Sequence, residues 1–216
     1  MTIPTPITGA TYWHRSLNPK KLVEVKFSSL APGMTMSKYV RSQKLPKVTS
    51  LAGMRPMTKD DVGQVCTMLN EYLTSKSVIR VEFNEDEIAH FLLPQNEVIY
   101  SYVVESQDSP GKVTDFFSFY CLPSSILRHE EHKTLHVAYS YYNFSSDKDR
   151  LRLGMRDLLI IARDLGFDVF NCLDVMENSS FLEDLNFGIG DGMLHYYLYN
   201  WRVKGIIPKD LGMVLV

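Results

Sequence analysis

A chain of 216 residues, 45% of them hydrophobic, can bury one large core or two small ones. Its formal charge of -2 leaves no basic footprint for a phosphate backbone, which excludes nucleic acid as the expected partner. Cys66, Cys121 and Cys172 are odd in number, widely spaced and set in apolar runs; they read as reduced, buried thiols in a cytoplasmic protein.

The first segment carries Pro4, Pro6 and Gly9, has no signal-peptide core, and no apolar run in the chain reaches the length of a transmembrane span. Residues 1–50 are rich in Pro, Ser, Thr and Lys and read as an arm or linker, with one short alternating strand over Val23 to Phe27. Residues 51–216 read as the domain proper.

Thr58 stands three positions before Asp61, and Val62, Val65, Cys66, Leu69 and Leu73 follow at helical spacing, which predicts a capping box on an amphipathic helix. Asn84 with Glu87 predicts a second, shorter helix through Phe91, ended by Pro94. Three β-branched and aromatic runs come next, Val98 to Val104, Val113 to Tyr120 and Leu135 to Tyr142, parted by turn-rich stretches such as Gln107 to Gly111. They predict consecutive antiparallel strands.

Leu151, Met155, Leu158, Leu159, Ala162 and Leu165 form a helical stripe that Gly166 is placed to end in a left-handed conformation. Asp168 to Leu173 reads as a strand, Asn178 as the cap of a short helix carrying Phe181, Leu182 and Leu185, and His195 to Trp201 as a final aromatic strand. The order describes an α+β fold, a sheet flanked by helices.

Between those last two elements runs Gly188-Ile189-Gly190-Asp191-Gly192. A dinucleotide loop follows a strand and opens a helix, whereas here the predicted helix comes first and the strand second. On residue chemistry alone the stretch reads as a tight helix-to-strand turn, with glycines supplying positive φ and Asp191 bonding local amides. Leu151 to Arg156 is the best candidate for a pyrophosphate-binding helix opening, but Leu151 and Arg156 break that pattern. His129, His132 and His136 with Glu130 and Glu131 lack a zinc-ligand spacing and read as a polar connection. The aromatic strands could stack bases only beside a positive groove, so one face is expected to pack as core and the other to line a groove.

Five blocks in one register carry a family resemblance: Tyr12 to Leu22, Asp115 to Ser124, Val137 to Asn143, Gly166 to Asn171, and Asn186 to Gly192 with the terminus Leu211 to Val216. Together they resemble the C-terminal half of the N-myristoyltransferases, which transfer myristate from myristoyl-CoA to the N-terminal glycine of proteins. The resemblance implies a GNAT-like mixed sheet flanked by helices, one half of a two-lobed fold, with no metal or redox cofactor. Myristoyl-CoA would be a co-substrate held mainly by the upstream half, of which this chain has no counterpart.

By the same resemblance Tyr12, His14, Phe27, Ser124, Tyr139, Asn171, Asp191 and Leu194 match positions lining the peptide site, and Asn186 stands where the family usually has lysine. The terminal α-carboxylate, here that of Val216, would serve as the catalytic base. From the residues alone the terminal segment reads as a cap on a sheet edge. Two functions are therefore expected: the peptide-binding half of an N-myristoyltransferase, or a truncated peptide-binding module without catalysis.

Overall fold

Short-range chemistry fixes where most helices begin. The computed structural model describes residues 5–127, 129–201 and 203–215. After strand β1 (Thr8–Ser16), the Asn18 side chain accepts from the Lys21 amide and Pro19 occupies the first turn of helix α1 (Pro19–Glu24). That cap overrides the alternation of Val23 to Phe27, so the strand expected there is a helix ending in a left-handed Lys26 with φ 61°. Helix α2 (Met36–Ser42) and strand β2 (Met54–Pro56) follow.

The predicted box at Thr58 is present, with the Thr58 amide donating to Asp61 Oδ2 at 2.8 Å. It opens a 3-10 turn, Lys59–Asp61, which runs into α3 (Val62–Lys76). Strand β3 (Ile79–Arg80) leads to α4 (Glu85–Leu92), where Asn84 and Glu87 cap each other's backbone, both bonds at 2.9 Å. The three predicted strands are β4 (Ile99–Glu105), β5 (Val113–Cys121) and β8 (Val137–Ser145), with a small hairpin, β6 (Ser124–Ser125) and β7 (Thr134–Leu135), between the last two. Helix α5 (Lys148–Asp164) ends before Gly166, which has φ 85° as expected. Strands β9 (Val169–Leu173), β10 (Gly188–Tyr196) and β11 (Leu211–Gly212) complete the set.

Seven strands form one mixed sheet in the order β10-β1-β9-β8-β5-β4-β2. All its pairs are antiparallel except β8 with β9. Helices cover both faces. One face packs α3 and α4 through Val65, Leu69, Leu73, Ile88 and Leu92 onto Phe116 and Tyr142. The other packs α5 through Met155, Leu158, Leu159 and Ala162 onto Phe117, Phe119 and Phe170. A small cluster, Leu22, Leu135, Val137 and Val169, seats α1 beside the β6–β7 hairpin.

Three further expectations need correction. The stretch Thr8–Ser16, expected as part of an arm, is strand β1 inside the sheet, bonded to β10 on one side and β9 on the other, and Arg15 is 1% exposed. The segment after Asn178 is a 3-10 turn, Asn178–Ser180, rather than a full helix. The last aromatic strand stops at Tyr196, where its pairing with β1 ends at Thr8, and Tyr199 and Trp201 stand in solvent.

Candidate functional site

Where β8 and β9 run parallel they stay in register for only three pairs, Val137 with Val169 to Tyr139 with Asn171. Beside this pairing, phenols from β1, β5 and β8 cluster. Tyr120 stacks on Tyr139 with centroids 5.2 Å apart, Tyr12 meets Tyr139 edge-on at 6.3 Å, and Tyr141 leans on Tyr120 at 5.6 Å and on Tyr142 at 4.6 Å. Burial raises the pKa of Tyr12, Tyr120, Tyr141 and Tyr142, and pushes Tyr196 up to about 12, with neighbouring phenols adding to the shift at Tyr12, Tyr120, Tyr142 and Tyr196. Those five hydroxyls are neutral at ordinary pH.

The segment after Asp210 docks against these phenols. Strand β11 pairs parallel with β3, the Tyr196 hydroxyl donates to the Met213 carbonyl at 3.2 Å, and the Val214 amide donates to Tyr142 Oη at 3.2 Å. Val214 is buried. Val216, the expected base, lies outside the described residues.

From the Tyr12–Tyr139 contact a groove continues along the same sheet face. His14 Nδ1 lies 2.6 Å from Asn171 Oδ1, and because an amide oxygen only accepts, Nδ1 is the donor of this pair. Phe27 packs edge-on against the His14 ring at 5.5 Å. One cavity of about 970 Å³ is lined by His14, Phe27 and Asp191 together with Ser16, Lys26 and Gln43. A second, of about 320 Å³, shares Lys26 and Phe27 and adds Ser124, Tyr139 and Asn171.

The glycine motif has a different role from the predicted turn. Gly188, Gly190 and Gly192 belong to β10, and the positive φ angles fall on other glycines. Tyr12 lies between the paired positions Thr11–Met193 and Trp13–Ile189, so Gly190, Asp191 and Gly192 form a bulge opposite this single residue. A Cβ at Gly190 would overlap His14 Nε2 and stand 2.8 Å from the Tyr12 carbonyl oxygen. Glycine here lets the bulge lie against the histidine.

Six residues matched by family resemblance thus meet around the two cavities: His14, Phe27, Ser124, Tyr139, Asn171 and Asp191. Tyr12 joins them through Tyr139. Leu194 does not: it pairs with Ala10 and packs on the large core outside both cavities. Sequence reasoning missed Ser16, Lys26, Tyr39, Gln43 and Glu183 as lining residues. Only Lys26 carried a local signal, sitting just past a capped helix; Gln43 is brought in by the buried Arg15, whose guanidinium donates to the Gln43 side chain and backbone carbonyl. Among the described residues no cluster of His, Cys, Asp and Glu could hold a metal, and no helix is long and apolar enough to cross a membrane.

Residues 24–213 match the model of the myristoyl-CoA:protein N-myristoyltransferase, C-terminal domain. The chain is 50% identical to bovine glycylpeptide N-tetradecanoyltransferase 2 over 100% of its own length and 42% of the relative's. It is 51% identical to Arabidopsis thaliana glycylpeptide N-tetradecanoyltransferase 1 over 99% of its length and 49% of that protein's. It superposes on a crystal structure of Saccharomyces cerevisiae N-myristoyltransferase with bound myristoyl-CoA at a TM-score of 0.93 and 35% identity, covering 100% of this chain and 59% of that one. The chain spans about half the length of the curated relatives it matches. Its mixed sheet with flanking helices is the GNAT-like fold of those enzymes, and the chain belongs to the N-myristoyltransferase family, of which it represents the C-terminal portion.

Proposed function

We propose that this chain is the peptide-recognising portion of a glycylpeptide N-myristoyltransferase, acting in transfer of myristate from myristoyl-CoA to the N-terminal glycine of a protein. One observation carries the reading: the Met213–Val214 backbone is bonded to Tyr196 and Tyr142, and Tyr142 belongs to a chain of ring contacts that runs through Tyr141 and Tyr120 to Tyr139 and Tyr12, beside the His14–Asn171 groove. An extended peptide entering the groove would pass Asp191 and His14, lie along Phe27 and Asn171, and bring its first residue toward the docked segment.

The chemistry follows from that placement. A glycine ammonium, with a pKa of about 7.7 to 8.0 in solution, must lose a proton before its nitrogen can attack a thioester carbon. In this reading the α-carboxylate of Val216 takes it. Such a group, with a pKa of about 3.5, is a weak base in water. A carboxylate fixed against the ammonium also orients the nucleophile, so position compensates for weak basicity. The neutral phenols add hydrogen-bonding hydroxyls without competing negative charge. Three free cysteines are consistent with a reducing, cytoplasmic setting.

A second reading, a peptide-binding module without catalysis, is favoured by one feature of α5. Its first free amides, those of Asp149 and Arg150, are taken by the Asp147 carboxylate at 2.7 and 3.0 Å, which puts a negative charge where a CoA pyrophosphate would approach a helix start. Mass spectrometry of the purified chain with myristoyl-CoA and a Gly-initiated peptide, alone and with the upstream half of a relative added, separates the two. Acylated peptide in either mixture supports the transferase; peptide binding with no product in both leaves the module.

A further inference from the structure

Strand β8 changes phase halfway along. In a regular strand, alternate side chains share a face. Tyr139 and Tyr141 keep that rule and pack in the cluster beneath α3 and α4, but Tyr142 and Phe144, one position out of step, pack in the same cluster. The pairing with β5 accounts for the slip. Phe117 pairs with Asn143 and Phe119 with Ser140, so Tyr141 and Tyr142 together oppose the single residue Ser118. Such a bulge re-aims side chains and leaves ladder groups without their strand partner.

Here two side chains take those groups over. Ser118, wholly buried, donates through Oγ to the Tyr142 carbonyl at 2.8 Å and accepts from the Tyr142 amide at 3.1 Å. Its own amide donates to Asn143 Oδ1 at 3.0 Å, and Asn143 Nδ2 donates to Ser140 Oγ at 2.8 Å. One hydroxyl thus holds both backbone groups of the residue at which the phase changes. The Tyr142 ring then meets Phe83 edge-on at 5.3 Å, and its hydroxyl accepts from the Val214 amide at 3.2 Å. In an unbulged β8 the same ring would point to the α5 face, away from the terminal segment.

We propose that Ser118 is a positioning residue for the terminal segment: by clamping the β8 bulge it fixes the Tyr142 hydroxyl that docks Val214, two residues before the carboxylate assigned as base. Its effect on acyl transfer rests on that assignment, whereas its effect on docking does not. Ser118 lines neither cavity of the groove, so peptide binding should be spared.

Amide hydrogen exchange of the chain, read by NMR, is the test. Ser118→Ala should lower protection of the Val214 amide roughly tenfold beyond any loss at Leu158 and Leu159 in α5. Tyr142→Phe, which removes only the hydroxyl, should do the same. The two substitutions combined should lower it no further than Tyr142→Phe alone, because both act through one bond. Ser118→Cys keeps the side-chain outline while weakening both bonds, and carries the comparison if the alanine variant does not fold. An equal loss at Val214 and in α5, or losses that multiply in the double variant, overturns the proposal. In a full-length enzyme carrying this half, Ser118→Ala should slow single-turnover acyl transfer roughly tenfold with peptide affinity unchanged. Val214 protection lost with an unchanged rate upholds the positioning role and removes the terminal carboxylate from the reaction.

Discussion

Gly190→Ala adds one methyl group where the β10 bulge lies against His14. Its Cβ would overlap His14 Nε2 and lie 2.8 Å from both His14 Cδ2 and the Tyr12 carbonyl oxygen. The carbonyl would have to retreat by roughly 0.6 Å to reach ordinary contact, and it belongs to an interior strand held on both sides. The imidazole is the softer element and turns first. Displacing it by about 1 Å stretches its 2.6 Å bond to Asn171 past the limit of a hydrogen bond.

Overpacking of this kind costs about 1–3 kcal/mol, and the lost hydrogen bond about 1 kcal/mol more. Replacing a strand glycine returns about 0.5–1 kcal/mol. The net expectation is a loss of about 2 kcal/mol, or a urea midpoint lower by about 1 M for a slope near 2 kcal/mol/M. Affinity for a Gly-initiated peptide, read by fluorescence anisotropy, should fall by about tenfold or more, since the imidazole no longer faces the groove. A variant with the parent's urea midpoint and peptide affinity would refute the contact geometry and the groove assignment together.

Gly154→Ala tests the α5 face of the core: its Cβ would land on the Phe117 ring, and urea denaturation should show a loss of about 3 kcal/mol with no specific effect on peptide contacts. The phenol cluster predicts an alkaline limit. Folded-state pKa values raised above 10 mean that stability is complete below pH 10 and is lost as pH rises toward the folded value, about 12 at Tyr196; tyrosinate absorbance and circular dichroism should change together, and tyrosines titrating freely near pH 10 in a folded chain would contradict the burial. In a full-length enzyme carrying this half, extension beyond Val216 by one residue moves the carboxylate about 3.5 Å and leaves an amide behind, whereas Val216→Leu leaves it in place. Single-turnover acyl transfer should fall by about a hundredfold to ten-thousandfold for the extension only, and equal rates would remove the carboxylate from the mechanism.

Features written within a few residues were legible in the chain. The boxes at Thr58 and Asn84 and the left-handed Gly166 depend on neighbours three or four positions away, and each stands where the pattern put it. The helix at Pro19 had the same kind of signal, an Asn-Pro cap, but the alternation of Val23 to Phe27 masked it. Features that depend on distant partners were not legible. The Gly188–Gly192 run has the composition of a turn and the geometry of a bulged strand, because His14 and Tyr12 arrive from the far end of the sequence to meet it. Family resemblance supplied positions for the groove but not its depth: Gln43 and Tyr39 enter the larger cavity from a stretch that reads as linker, with Arg15 as the internal tie for Gln43.

Interior placement of β1 also sets the timing of folding. Its residues leave the ribosome well before the strands that hold them; His14 and Asn171 are 157 positions apart. Local hairpins such as β4–β5 can form as the chain emerges, but half of the sheet must wait for a loop of that length to close. During translation the segment from Thr8 to Ser16 is therefore an unpaired strand with a long exposure time, and chaperone dependence should concentrate there rather than in the helices.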